Sequence, residues 1–465
     1  MPTPLLVSFV WHMHQPFYQD TRTGEYLLPW VRLHAVKDYL HLARIAADYP
    51  TVHQTLNVVP SLAIQLEAYA RGEAVDRAQA ISAKLAVDGV TLTVDDKSYL
   101  LKEFFSINWD HFVYPNPRFR LLARLREAAN GETSLLSEQY WRDLAVWYNL
   151  AWIDPSLRQR DARLRRLFEK GGDYDSTDVA SVLAAHRDLI AQILPTYRAL
   201  ADAGQLELTT SPFYHPILPL LLDTACAREA SPALPLPHLR FSCPEDAATQ
   251  VAEALDFHER AFGRAPSGMW PSEGAVSQAA IELLARYPAI RWIATDEHVL
   301  ERALGYGFER DASDQLKDPR PLYQPYYSAA GGPALFFRDQ VLSDRVGFVY
   351  QHWDSRDAAN DLVERLLQAR RTLGDPGDLA PPIVSIVLDG ENCWEHYPNN
   401  GDDFLRALFD RLSREPGLRA ITPAEYLQLY PAVGERAPRL ANLPAASWIG
   451  SNLETWIGEP DQNRA

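Results

Sequence analysis

Ile383-Val384-Ser385-Ile386-Val387-Leu388-Asp389-Gly390-Glu391 can be read face by face. Successive side chains of a strand point to opposite sides. Val384, Ile386 and Leu388 then form one purely apolar face. Ile383, Ser385, Val387, Asp389 and Glu391 form the other, which turns polar at its C-terminal end. The stretch Leu5–His14 behaves alike. Leu6, Ser8, Val10, His12 and His14 share one face, and Leu5, Val7, Phe9, Trp11 and Met13 share the opposite one. An apolar outer face and an inner face that becomes polar at its C-terminal end describe a strand of a parallel β/α barrel. Helices cover such a strand outside, and the functional site lies at the C-terminal strand ends. Further short runs fit the same scheme. They are Thr51–Val59, Leu206–Thr210 (leading to Ser211, Pro212 and His215), Arg291–Thr295 (leading to Asp296, Glu297 and His298) and Ala334–Phe337 (leading to Arg338 and Asp339).

Between the second and third of these runs the pattern changes. Helical periodicity dominates Ser61–Arg71, Pro117–Ala129, Ser137–Leu150 and Thr177–Ala201, with little strand character. The expected organisation is an α/β chain. Residues 1–401 form a catalytic β/α barrel with a helical insertion at about 60–203, and residues 402–465 form a C-terminal helical region. The closing Glu-Pro-Asp-Gln-Asn-Arg-Ala reads as the start of a further element. No internal repeat and no low-complexity tract is found.

The chain has 465 residues, 47% of them hydrophobic, enough for a large core. Lys and Arg number 45 against 61 Asp and Glu, a formal charge of -16. That surface offers no electrostatic footprint for nucleic acid or an anionic membrane, and an uncharged substrate suits it better. Cys226, Cys243 and Cys393 are odd in number and form no CxxC, so neither a disulfide framework nor a zinc ribbon is expected. That cysteine usage is consistent with a cytoplasmic chain, and the opening MPTPLLVSFVWHMHQP, which carries no basic leader, reads as a first strand. No apolar run approaches the roughly 20 residues of a membrane span. Nucleotide-binding glycine loops and the G-x-S-x-G elbow are absent.

Two acids stand out. Glu273 lies in Gly-Met-Trp-Pro-Ser-Glu-Gly (268–274) and Asp389 ends the strand that opens this section; each has a Trp nearby, Trp270 and Trp394. Alone, Glu273 reads equally as a solvated helix-start residue and Asp389 as a turn residue. Together they match glycoside cleavage, in which one carboxyl attacks the sugar carbon and the other handles the leaving-group proton. Asp389, Glu391 and Glu395 crowd one short stretch, which should raise one pKa and suit a general acid. His12 and His14 share a strand face. They read as strand-end structure, as hydrogen-bonding partners of sugar hydroxyls, or as two metal ligands; no acid in the first strand completes a metal triad. Glu207, His215, Asp296, Glu391, Trp353 and Trp448 complete the expected binding set, with Trp270, Trp353, Trp394 and Trp448 as platforms for pyranose rings.

The assembled motifs resemble glycoside hydrolase family 57. WHMHQPFY looks like its first motif, GQLELTTSPFYHPILPLL (204–221) its second, GMWPSEGAVS (268–277) its third, VLDGENCWEHYP (387–398) its fourth and LPAASWIGSNLETWIG (443–458) its last. The wording resembles the amylopullulanase and α-amylase branch more than the glucanotransferase branch. The resemblance implies an incomplete (β/α)7 barrel, Glu273 as nucleophile and Asp389 as acid/base. It also implies retaining chemistry on α-glucosidic bonds of starch- or glycogen-like glucans, without cofactor or catalytic metal. The competing readings are an α-glucan transglycosylase on the same site, a metal-dependent carbohydrate deacetylase, and a glucan-binding protein without catalysis. Relatives usually continue beyond the last motif, which is where this chain departs from them.

Overall fold

Strand β1 (Leu5–Met13) is buried along its whole length and organises everything around it. The computed structural model describes residues 3–375, 377 and 380–464; Met1, Pro2 and Ala465, at the ends of the two segments drawn above, lie outside them. In chain order the other strands are β2 (Gln54–Val58), β3 (Leu206–Thr209), β4 (Gly268–Met269), β5 (Trp292–Asp296), β6 (Tyr327–Ser328), β7 (Ala334–Arg338), β8 (Ile383–Asp389), β9 (Leu418–Ala420) and β10 (Arg439–Leu440). The main sheet runs β3-β2-β1-β8-β7-β5-β4, and its pairings are parallel. A parallel bridge between Thr210 and Met269, with Trp270 N–H on the Thr210 carbonyl at 3.0 Å, joins the two end strands. The result is a seven-stranded barrel closed by a narrow contact near the C-terminal ends of β3 and β4.

One edge of β1 pairs with β8 over Leu6–His12. Along its length β1 also pairs with β2 through Val10–Met13 and with β9 through Leu5–Val7. A segment from beyond residue 402 therefore pairs with the barrel wall near the start of β1.

The alternation read from the sequence separates two apolar cores. Leu6 and Val10 pack inside with Trp292, Ala294, Ala334, Phe336, Ile383 and Val387. Leu5, Val7, Phe9, Trp11, Met13, Val384, Ile386 and Leu388 pack outward into the larger core. Each such side chain contributes roughly 1.5–3 kcal/mol on burial. Helices from Pro60–Arg71 through Ile193–Asp202 form the insertion between β2 and β3. Buried Lys37 lies 2.8 Å from Asp38 and 3.4 Å from Asn400, which ties the segment after β1 to the loop after β8. Among the described residues no helix is long and apolar enough to cross a membrane.

Gly268 shows how tightly the interior is filled. A Cβ there would lie 2.1–2.5 Å from three atoms of the Trp292 indole. That ring cannot retreat freely, because its Nε1 donates to buried Glu207 at 2.7 Å. Gly268→Ala is therefore expected to lower stability by at least about 1–3 kcal/mol. Thermal unfolding measures this, and an unchanged midpoint would contradict the packing described.

Candidate active site

The inner faces of the barrel strands end in polar groups at one rim: His12 on β1, Asn57 on β2, Thr209 on β3, Asp296 on β5, Arg338 on β7 and Asp389 on β8. Register brings them together. His12 lies opposite Asn57 on one side and Asp389 on the other, and Asp296 lies opposite Arg338. His12 Nδ1 is 2.7 Å from Asn57 Oδ1. Asn57 Nδ2 donates to Thr209 Oγ1 at 3.2 Å, so its amide oxygen faces the histidine. An amide oxygen only accepts, so His12 carries its proton on Nδ1 and keeps Nε2 as a bare acceptor.

Glu273 sits in the tight turn after β4 with φ 56 and ψ 29, in the left-handed region; His215 is there too, at φ 59. Such backbone costs about 1–3 kcal/mol per residue and persists only where the surroundings hold it. Both carboxylate oxygens are held. His215 Nε2 is 3.2 Å from Oε1, and Trp448 Nε1 donates to Oε2 at 3.0 Å. The Trp448 backbone N–H adds a bond to the Glu273 carbonyl at 3.3 Å. Hydrogen bonds to an ionised acceptor are the stronger kind.

The histidines around this carboxylate are neutral at pH 7. Burial pushes His14 and His215 down to about 3, and burial with the charges of His215 and His14 lowers His12 well below its ordinary range. The three rings stack, His14 on His215 at 4.0 Å and His12 on His215 at 4.9 Å.

The opposite half of the rim is charged. Burial raises Asp389 to about 6; Asn392, donating at 2.6 Å, opposes that, Glu273 adds to it, and Arg338 opposes it. Arg338 is almost fully buried. Its Nε donates to Asp296 Oδ2 at 2.7 Å, and its guanidinium lies 5.0 Å from the Trp448 ring centre. His298 Nδ1 lies 2.8 Å from Asp296 Oδ1, which raises the His298 pKa.

Of the residues expected from sequence, His12, His14, His215, Glu273, Trp448, Asp296 and Asp389 come together. Glu391 is buried next to them; its Oε1 accepts from His14 N and Gln15 Nε2, each at 3.4 Å, so it ties the β8 loop to the β1 loop. The rest are placed otherwise. Glu207 lies near the start of β3, away from the rim. There it accepts from Ser267 Oγ at 2.6 Å, Trp292 Nε1 at 2.7 Å and Ala424 N at 3.2 Å. Trp270 and Trp394 are buried. Trp270 packs edge-on against Trp448 at 5.1 Å, and Trp394 packs on Trp11 at 5.8 Å, so neither offers a face to a sugar. Trp353 packs on Tyr350 and lines a separate concavity with Asp354, Pro398 and Arg406. A cavity of about 800 Å³ lined by Tyr323, Pro381 and Tyr426 lies where β8 begins, so concavity alone would misplace the site. Trp448, expected to stack on sugar, turns its N–H toward Glu273. Sequence reading passed over Asn57 and Asn392 and named Arg338 only as the end of a strand run, although Asn57 and Arg338 end inner strand faces by the same alternation that singled out Asp389.

The sequence reading excluded a metal on two grounds, the missing acid beside His12 and His14 in the first strand and the metal-free chemistry that the family resemblance implies. The fold supplies His215 and Glu273, and one ligand atom from each of the four lies within 4.8 Å of the others.

The barrel thus carries two acids, Glu273 and Asp389, at its C-terminal rim. The profile of glycosyl hydrolase family 57 matches residues 8–439, and the chain belongs to that family. It is 24% identical over 314 residues to a 4-alpha-glucanotransferase of Thermococcus kodakarensis; the match covers 65% of this chain and 39% of that enzyme. The chain thus spans about two-fifths of the length of this relative. A branching enzyme from Pyrococcus horikoshii superposes with a TM-score of 0.56 at 16% identity, over 99% of this chain and 76% of its own. An alpha-amylase from Thermotoga maritima does so with 0.53 at 14% identity, over 96% and 78%. At these identities the likeness shows the fold, the incomplete (β/α)7 barrel with its helical additions.

Two outcomes follow. Trp448→Phe keeps the ring and removes the N–H, so kcat is expected to fall about 10- to 100-fold with KM little changed, the worth of a bond to a charged group. Equal kcat would show that the indole N–H is idle. Asn392→Ala removes a donor that favours ionised Asp389, so the Asp389 pKa should rise above its value of about 6. The alkaline limb of kcat/KM then moves to higher pH. A shift to lower pH, or none, would contradict the arrangement.

Proposed function

We propose that the chain is a retaining α-glucan hydrolase in which Glu273 is the nucleophile and Asp389 the acid/base. One observation carries the reading: Glu273 has a donor on each carboxylate oxygen, while Asp389, close enough to feel its charge, is pushed up to about 6. A carboxyl whose pKa is raised, beside a second carboxylate held by donors on both oxygens, suits the proton-handling role. Glu273 attacks the anomeric carbon as Asp389 protonates the leaving oxygen; Asp389 then takes a proton from water, which releases the sugar with its configuration retained. The bare Nε2 of His12 accepts from a sugar hydroxyl, and His14 and His298 line the same rim. No step needs a metal or cofactor. The three cysteines are unpaired, in keeping with the cytoplasmic location read from the sequence.

A second reading is transglycosylation, in which a sugar hydroxyl replaces water. The similarity to a 4-alpha-glucanotransferase and a branching enzyme favours weighing it. Product analysis on soluble starch, pullulan and maltooligosaccharides separates the two: hydrolysis accumulates reducing ends, whereas transfer redistributes chain lengths or branch points without them.

The roles themselves are tested with azide and an activated aryl α-glycoside. Asp389→Ala should retain attack on this substrate, and azide should release an α-glycosyl azide from its intermediate. In Glu273→Ala azide can only replace the nucleophile from the opposite face, giving the β product. Swapped configurations would exchange the roles, and undiminished activity in both variants would remove both residues from the chemistry.

A further inference from the structure

His12, His14, His215 and Glu273 come from β1, the loop after β1, the loop after β3 and the turn after β4. Each offers one ligand atom, and all four atoms lie within 4.8 Å of one another. His12 is 1% exposed, and its Nε2 has no hydrogen-bond partner among the described residues; the same holds for His215 Nδ1. His12 presents its other nitrogen to Asn57 Oδ1 at 2.7 Å. An imidazole whose second nitrogen donates to a fixed oxygen, leaving the first bare, is how metal-binding histidines are oriented. Three imidazoles and one carboxylate form a donor set that suits zinc and its neighbours better than calcium or magnesium, which prefer oxygen.

We propose that this cluster captures one divalent ion of the zinc type and that the bound ion switches catalysis off by engaging the Glu273 carboxylate. The exchange is of ligands alone. The ion sheds water and gains nitrogen and carboxylate donors, and no electron moves. His215 can keep its Nε2 proton toward Glu273 and use Nδ1. Capture unstacks the rings, which turn about their Cβ–Cγ bonds until the nitrogens reach about 2.0–2.1 Å from the ion. Substrate and ion compete, because both need Glu273 and the bare Nε2 of His12. The inhibitory half rests on the function proposed above; the binding half does not.

The test separates the two. The intact protein is titrated with Co(II), followed by its visible absorption, and with Zn(II), followed by calorimetry, at pH 7 in a buffer that does not bind metals. One equivalent is expected. His14→Ala and the milder His14→Gln should each weaken binding at least tenfold, and His396→Ala, at an exposed histidine outside the cluster, should leave it unchanged. Cleavage of an activated aryl α-glucoside should be inhibited by Zn(II) in competition with substrate and restored by a chelator. Failure to bind one ion, or an affinity indifferent to both His14 variants, overturns the site. Activity that rises with Zn(II) overturns the inhibitory role and the metal-free chemistry together. A protein that binds one ion through His14 yet cleaves no α-glucan keeps the site and loses the proposed function.

Discussion

The parallel register of β1 between β8 and β2 is the constraint on which the rest depends. It places His12 beside Asp389 on one edge and beside Asn57 on the other. The same register stacks Leu6 on Ile383 and Val10 on Val387 inside the barrel. A slip of one residue would turn every one of these side chains to the opposite face. It would bury His12 among the outer helices and expose apolar groups to the cleft. The apolar core and the polar rim are therefore specified by one pairing, and neither can be shifted without the other.

The rim divides into a neutral half and a charged half because burial acts differently on the two. On the side of β1 and β3, burial crowds the imidazoles out of water, so they stay neutral and serve as acceptors and donors. On the side of β5, β7 and β8, Arg338 is buried together with Asp296, and the pair compensates itself. A buried charge without a partner would be far costlier. Arg338 also lies over the Trp448 ring, whose N–H reaches Glu273. A chain of contacts thus runs from the charged half to the Glu273 carboxylate, and it passes through a residue from the segment beyond 402.

That segment is part of the site's construction. β9 pairs with β1 near the start of the barrel, while Trp448 reaches Glu273 at the rim. Val276 and Ala446 exchange backbone hydrogen bonds, at 2.9 and 3.0 Å, which fixes the approach of Trp448 to the turn that carries Glu273. The strained φ of Glu273 is held by contacts that its own local sequence does not provide.

Alternation along Leu5–His14 and Ile383–Glu391 was enough to read a parallel barrel and to put His12 and Asp389 on inner faces, because a period of two is a local property of a strand. Glu273 was marked by its neighbour Trp270 and by its pairing with Asp389. What alternation cannot give is height within the barrel: Glu207 and Thr209 share the inner face of β3, and only the pairing with β2 shows that Glu207 lies toward the floor. Nor can adjacency in sequence say where an indole points. Trp394 follows β8 yet packs outward on Trp11, and Trp353 belongs to a different concavity. The hydrogen bond from Trp448 to Glu273 joins residues 175 apart, and the one from His12 to Asn57 joins residues 45 apart. The sequence by itself determined which strands face inward and which acids end them, since local stereochemistry dictates that. Only the tertiary structure decided which donors hold each acid, because those contacts form when distant strands are brought side by side and water is removed from between them.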